Sequence, residues 1–139
     1  MVVERALHFS SEVAVLEAVR EFVREATNPL EPSEASLYQL ELVVVEAVTN
    51  VIEHAYGGAQ GQPIELEIGS QGRVVHLTLR DRGEAFDLVT HLDPDVGQHL
   101  AQGRRGGLGV FLMRQLLEDL ALSREEGWNV LRMRFRLES

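Results

Sequence analysis

Leu42-Val-Val-Val-Glu-Ala-Val-Thr-Asn-Val-Ile52 sets a carboxylate and a carboxamide inside an otherwise apolar run. Glu46 and Asn50 are four residues apart, so a helix carries both on one face, one turn apart. Burying either without a partner costs on the order of 1–3 kcal/mol. A cation with a phosphate beside it would use an amide oxygen and a carboxylate together. Taken alone, the two residues read more readily as a solvated stripe on a surface helix.

The helix around this stretch is predicted from about Glu34 to Tyr56. Ser33 is its N-cap, Glu34 lies in its first turn, and Gly57-Gly58 stops it. Leu40, Val44, Val48, Val51 and Ala55 form its core stripe. Glu46, Asn50 and Glu53 fall on an adjacent face. Upstream, Val2 to Phe9 reads as a strand. A helix capped by Ser10 or Ser11 follows to about Ala26, with Val13, Leu16, Val19, Phe22 and Val23 as its apolar stripe. Asn28-Pro-Leu-Glu-Pro is a loop.

Downstream, Ile64 to Gly69 and Val74 to Arg80 alternate apolar and polar residues, and Ser70-Gln-Gly-Arg between them predicts a hairpin. Leu88 to Arg105 lacks periodicity and has the length of a functional lid. Gly106-Gly-Leu-Gly opens a helix over about Val110 to Leu120. Glu125 to Asn129 reads as a turn and Val130 to Leu137 as the last strand.

The 139 residues suit a single domain, and 45% hydrophobic with 25% charged residues is an ordinary globular balance. A net charge of −9 argues against broad nucleic-acid binding, which needs a basic face, while leaving room for a local nucleotide site. The absence of cysteine excludes disulfides and thiolate zinc sites and fits a reducing compartment. Neither a signal peptide nor a membrane-spanning run is expected.

Two further segments carry candidate chemistry. Asp81-Arg-Gly83 follows an amphipathic strand. It reads as a turn, or as an aspartate accepting a hydrogen bond from the exocyclic amine of a base, with Gly83 letting a flat ring approach. Gly103-Arg-Arg-Gly-Gly-Leu-Gly109 precedes a helix. It reads as a hinge, or as a phosphate cradle of exposed amides with Arg104 and Arg105 adding positive charge. The glycines are not followed by Lys-Ser or Lys-Thr, so this is not a P-loop. His54, His76, His91 and His99 are read as packing or solvated groups, and no zinc site is assigned.

In this order the three segments resemble the N, G1 and G2 boxes of the GHKL ATP-binding superfamily, and more closely the bacterial anti-sigma-factor serine/threonine kinases. Glu46 to Tyr56 (Glu-Ala-Val-Thr-Asn-Val-Ile-Glu-His-Ala-Tyr) resembles the N box. Asp81-Arg-Gly-Glu-Ala-Phe-Asp87 resembles the G1 box, with Ala85 where many relatives have Pro. Gly106-Gly-Leu-Gly-Val-Phe-Leu-Met-Arg-Gln-Leu116 resembles the G2 box and its helix. Some superfamily members place a Thr near the adenine on the last strand, where this chain has Trp128-Asn-Val-Leu131.

The resemblance implies an α/β chain with an α+β two-layer sandwich: a mixed, mostly antiparallel sheet with helices on one face, the Bergerat ATP-binding fold, in one domain over residues 1–139. It implies ATP and Mg2+ as cofactors. Glu46 would be the general base and Asn50 the magnesium ligand. Asp81 would read adenine, with Gly83 and Phe86 in the same pocket. Gly107, Leu108 and Gly109 would cradle the phosphates, and Arg105 would neutralise charge on the γ-phosphate. It further implies a cytoplasmic homodimer that phosphorylates an anti-anti-sigma factor (a STAS domain) and sequesters a sigma factor. No nucleic acid or membrane is implied as a partner. A nucleotide-gated binding module without transfer activity is the alternative, and a plain ATPase ranks last.

Overall fold

The computed structural model describes residues 4–85 and 106–139, with the backbone alone for residues 106–110. Strand β1 (Glu4–Ser10) pairs with β2 (Pro63–Gln71), and β2 pairs with β3 (Val74–Asp81). β3 pairs with β5 (Trp128–Arg136), which pairs with β4 (Asp119–Glu125). The order is β1-β2-β3-β5-β4. Every pairing among the described residues is antiparallel, so the mixed sheet expected from sequence is instead antiparallel throughout.

Side-chain alternation gives this sheet one apolar face. Ile64, Leu66 and Ile68, then Val75, Leu77 and Leu79, then Leu131, Met133 and Phe135 are buried. Glu67, His76, Arg132, Arg134 and Arg136 between them are exposed. The helices α1 (Leu16–Thr27), α2 (Glu34–Asn50) and α3 (Gly106–Leu116) supply the other half of the same core through Val19, Val23, Leu40, Val44, Val48 and Met113. Burying each such side chain contributes about 1.5–3 kcal/mol.

The central helix matches its predicted span with one change. α2 is capped at Ser33, whose hydroxyl accepts from the Ser36 amide at 3.1 Å. Its continuation, Val51–Ala55, is π-helical. The predicted core stripe of Leu40, Val44, Val48, Val51 and Ala55 is buried throughout. By length and hydropathy Glu34–Ala55 could cross a bilayer, although no such run was expected. Here 61% of that apolar window lies inside the protein, where its hydropathy serves the core.

Three other boundaries differ from expectation. Ser11 caps no helix: its hydroxyl donates to the Ala59 carbonyl at 2.6 Å and accepts from the Gln62 amide at 2.9 Å. α1 therefore begins later, at Leu16, and Val13, expected in its apolar stripe, is 71% exposed in a short 3-10 turn. The predicted helix over Val110 to Leu120 begins at Gly106 and ends at Leu116. Leu120 and Leu122 then alternate along β4, whose first two residues the expected helix, drawn from Val110, Met113, Leu116 and Leu117, takes in. The turn lies at Glu126-Gly127, with Gly127 at φ +85°. The expected lid, Leu88 to Arg105, lies outside the described residues.

Candidate functional site

The strand alternation that builds the core also builds the site. On β3 the inward positions run Val75, Leu77, Leu79 and end at Asp81. On β5 they run Phe135, Met133, Leu131 and end at Asn129. On β4 they run Leu120, Leu122 and end at Arg124. Asp81 pairs with Asn129, and Asn129 with Arg124, so three polar side chains meet at one end of the sheet, Asp81 and Asn129 buried and Arg124 exposed. Asp81 and Asn129 are 4% and 5% exposed, which requires that they satisfy one another.

They do. Asp81 Oδ1 accepts from the Gly83 amide and from Asn129 Nδ2, both at 2.8 Å. Asn129 Nδ2 also donates to the Glu84 carbonyl at 3.0 Å and the Gly83 carbonyl at 3.3 Å. Arg124 donates to Asn129 Oδ1 at 2.8 Å and to the Gly83 carbonyl at 3.2 Å. Burial pushes the Asp81 carboxyl above its ordinary range, and the bonds from Asn129 and Gly83 and the Arg124 charge act against that rise. Both bonds fall on Oδ1. Among the described residues Oδ2 receives none, and it remains an acceptor for a ligand.

The helix end holds this strand end in place. The Glu84 amide donates to the Ala55 carbonyl at 2.8 Å, and the Arg82 amide to the Tyr56 hydroxyl at 2.7 Å, which in turn donates to the Pro63 carbonyl at 2.5 Å. A Cβ on Gly83 would stand 2.4 Å from the Ala55 carbonyl oxygen and 2.5 Å from its carbon. Glycine is therefore required here by the approach of strand to helix, independently of the room for a flat ring expected from sequence. Gly83→Ala should destabilise the fold by about 1–3 kcal/mol, because both obstructing atoms are backbone. That corresponds to a Tm lower by roughly 3–10 °C in thermal unfolding. An unchanged Tm would show that Ala55 yields.

Asn50 and Asp81 both line a cavity of about 30 Å3, together with Ala47, Val51, Ala55, Met113, Leu122, Asn129 and Leu131. The sequence reading puts Asn50 off the core stripe, yet it is 8% exposed and its buried Nδ2 has no hydrogen-bond partner among the described residues. A carboxamide N–H held that way at the edge of a mostly apolar cavity is what an acceptor such as a phosphate oxygen would satisfy. Glu46, one turn earlier and half-buried, stands outside this small cavity. Burial raises its carboxyl above the ordinary range, and the neighbouring Glu53 charge adds to the rise.

The sequence-derived set thus divides. Asn50 and Asp81 line one cavity, Gly83 closes the helix–strand contact beside it, and Glu46 lies one turn away on α2. Gly107, Leu108 and Gly109 fall in the first turn of α3, whose amides lack intrahelical acceptors. Phe86 and Arg105 lie outside the described residues. Asn129 and Arg124 were missed. Their signal is a polar residue terminating an inward apolar alternation, hidden because no strand is expected over residues 121–124 and Asn129 is assigned to a turn.

A two-layer fold whose strand-end aspartate and helix-borne amide line one cavity is compatible with a nucleotide site. The chain belongs to the histidine kinase-like ATPase domain family, whose profile matches residues 9–135. Among curated proteins it is similar to serine/threonine-protein kinase BtrW of Bordetella bronchiseptica, with 33% identity over 94 residues, covering 68% of this chain and 66% of that one. It is likewise similar to serine-protein kinase RsbW of Listeria monocytogenes, with 33% identity over 104 residues, covering 72% and 66%. The match therefore spans about 66% of the length of these relatives. In fold it resembles the SiaB–SiaC complex of Pseudomonas aeruginosa, with a TM-score of 0.64 and 18% identity over 93% of this chain and 88% of that one.

Proposed function

We propose that this chain is an ATP-dependent anti-sigma regulatory kinase. It phosphorylates a serine or threonine on a STAS-type anti-anti-sigma partner, and it sequesters a sigma factor as a homodimer. The observation that carries the reading is that Asn50, whose buried Nδ2 has no partner among the described residues, and Asp81, whose Oδ2 receives no hydrogen bond from them, line one cavity.

The residues present fit ATP and magnesium. Asp81 Oδ2 offers an acceptor to the 6-amino group of adenine. The first-turn amides of α3 suit phosphate oxygens. Magnesium commonly takes few protein ligands beside phosphates and waters, so the single amide of Asn50 suffices to hold it. When bound, MgATP supplies the transferable phosphoryl group with its charge neutralised. Glu46 then takes the proton of the acceptor hydroxyl, a role suited to a carboxyl raised toward neutral pH.

Transfer of phosphate from ATP to the hydroxyl of a STAS-domain partner, read by mass, tests this function. Absence of transfer with a nucleotide-dependent sigma-factor complex retained would leave a nucleotide-gated binding module. The site itself is tested by Asn50→Leu. Replacing an unsatisfied buried amide by an apolar group of similar shape is neutral or stabilising, so Tm should hold or rise. MgADP affinity should fall at least about tenfold by calorimetry. Unchanged affinity would remove Asn50 from the site.

A further inference from the structure

We infer that Asn129 and Arg124 set the choice of base, as positioning residues acting through Asp81. The inference rests on the reading of Asp81 as the adenine acceptor. Its starting point is the polarity of one carboxamide. Arg124 can only donate, so the Asn129 atom 2.8 Å from its Nη1 must be the oxygen. The amide nitrogen is thereby turned toward Asp81, where it meets three acceptors: Asp81 Oδ1 and the carbonyls of Gly83 and Glu84.

Two consequences follow for Asp81. Its Oδ1 is held by the Asn129 amide and the Gly83 N–H, which fixes the rotation of the carboxylate and directs Oδ2 as the base-reading oxygen. The donors on Oδ1, together with the Arg124 cation, also favour the ionised carboxylate against its burial. A rotationally fixed Oδ2 accepts from a 6-amino purine and, when ionised, repels a 6-oxo purine. Asp81, Asn129 and Arg124 sit on three adjacent strands in register, so the relay is built from sheet rather than loop.

The test compares ADP with IDP, which differ at the 6-position, by calorimetry with magnesium on the wild type, Asn129→Leu, Arg124→Met and the double variant. Wild type should prefer ADP. Asn129→Leu should cut the ADP-to-IDP affinity ratio at least about tenfold. Arg124→Met should cut it less, because the three acceptors still hold Nδ2. The double variant should fall to or slightly below Asn129→Leu alone, because Arg124 acts mainly through Asn129 and secondarily through its own charge on Asp81. A wild type indifferent to ADP and IDP would sink the Asp81 reading and this inference with it. A wild-type preference that survives in Asn129→Leu, or an equal loss for both nucleotides, overturns the relay alone. Should Asn129→Leu fail to fold, an unchanged ratio in Arg124→Met overturns it.

Discussion

Asp81→Asn is expected to weaken ADP binding by about 10- to 100-fold while the fold survives. The asymmetry of the carboxylate decides the result. Gly83 N–H and Asn129 Nδ2 both donate to Oδ1 at 2.8 Å, so the substituted side chain must keep its carbonyl oxygen there. Its NH2 then occupies the Oδ2 position and opposes the exocyclic amine of adenine, donor against donor. Losing a charge-assisted hydrogen bond costs about 1.5–3 kcal/mol, which gives the stated factor.

Stability should move the other way. The Asp81 carboxyl is raised by burial, so the folded state binds its proton more tightly than the unfolded chain does. Wild-type stability therefore declines as pH rises from the unfolded value toward the folded one, and at pH 7 the buried charge weighs against folding. The neutral amide removes that term. Thermal unfolding at pH 7 should give a Tm equal to or above wild type, and the variant should lose this part of the pH dependence. An ADP affinity equal to wild type would remove Asp81 from base recognition.

Glu46→Gln carries the second large effect: in the proposed phosphotransfer, kcat should fall by about 100- to 10,000-fold with nucleotide affinity retained. The substitution keeps shape and removes the proton acceptor. Burial, then Glu53, raises the Glu46 carboxyl, so the wild-type rate should fall as pH drops through that raised value. Glu53→Gln withdraws the like charge, lowers the Glu46 value and should move the acid limb to lower pH. A Glu46→Gln enzyme with wild-type kcat, or an acid limb indifferent to Glu53→Gln, would assign the proton transfer elsewhere.

Much of this architecture was legible because period and punctuation agreed. The central helix showed its cap, its stripe and its glycine stop, and β2 and β3 alternated cleanly on either side of a turn. β4 was not legible, because Leu116, Leu117 and Leu120 satisfy a helix as well as Leu120 and Leu122 satisfy a strand, and sheet pairing with β5 decides between them. Asn50 and Asp81 were visible as polar residues in apolar settings. The burial of Asn50 was not, since helical phase alone put it beside the core, and only the third dimension shows the sheet end rising to meet it. Asn129 escaped for a similar reason: without β4 in place, its neighbour Arg124 gave no hint of a partner. The π-helical turn after Asn50 has no sequence signature that we can name.

The position of β5 between β3 and β4 bears on synthesis as well as on the finished protein. Translation delivers β1, β2, β3 and β4 before it, yet β5 bridges the gap between two of them and brings Asn129 to Asp81. On the ribosome the half-built sheet thus stays split until that last strand clears the exit tunnel. Nascent chains stalled before residue 129 should be unable to retain nucleotide, however much of the helical layer has already formed.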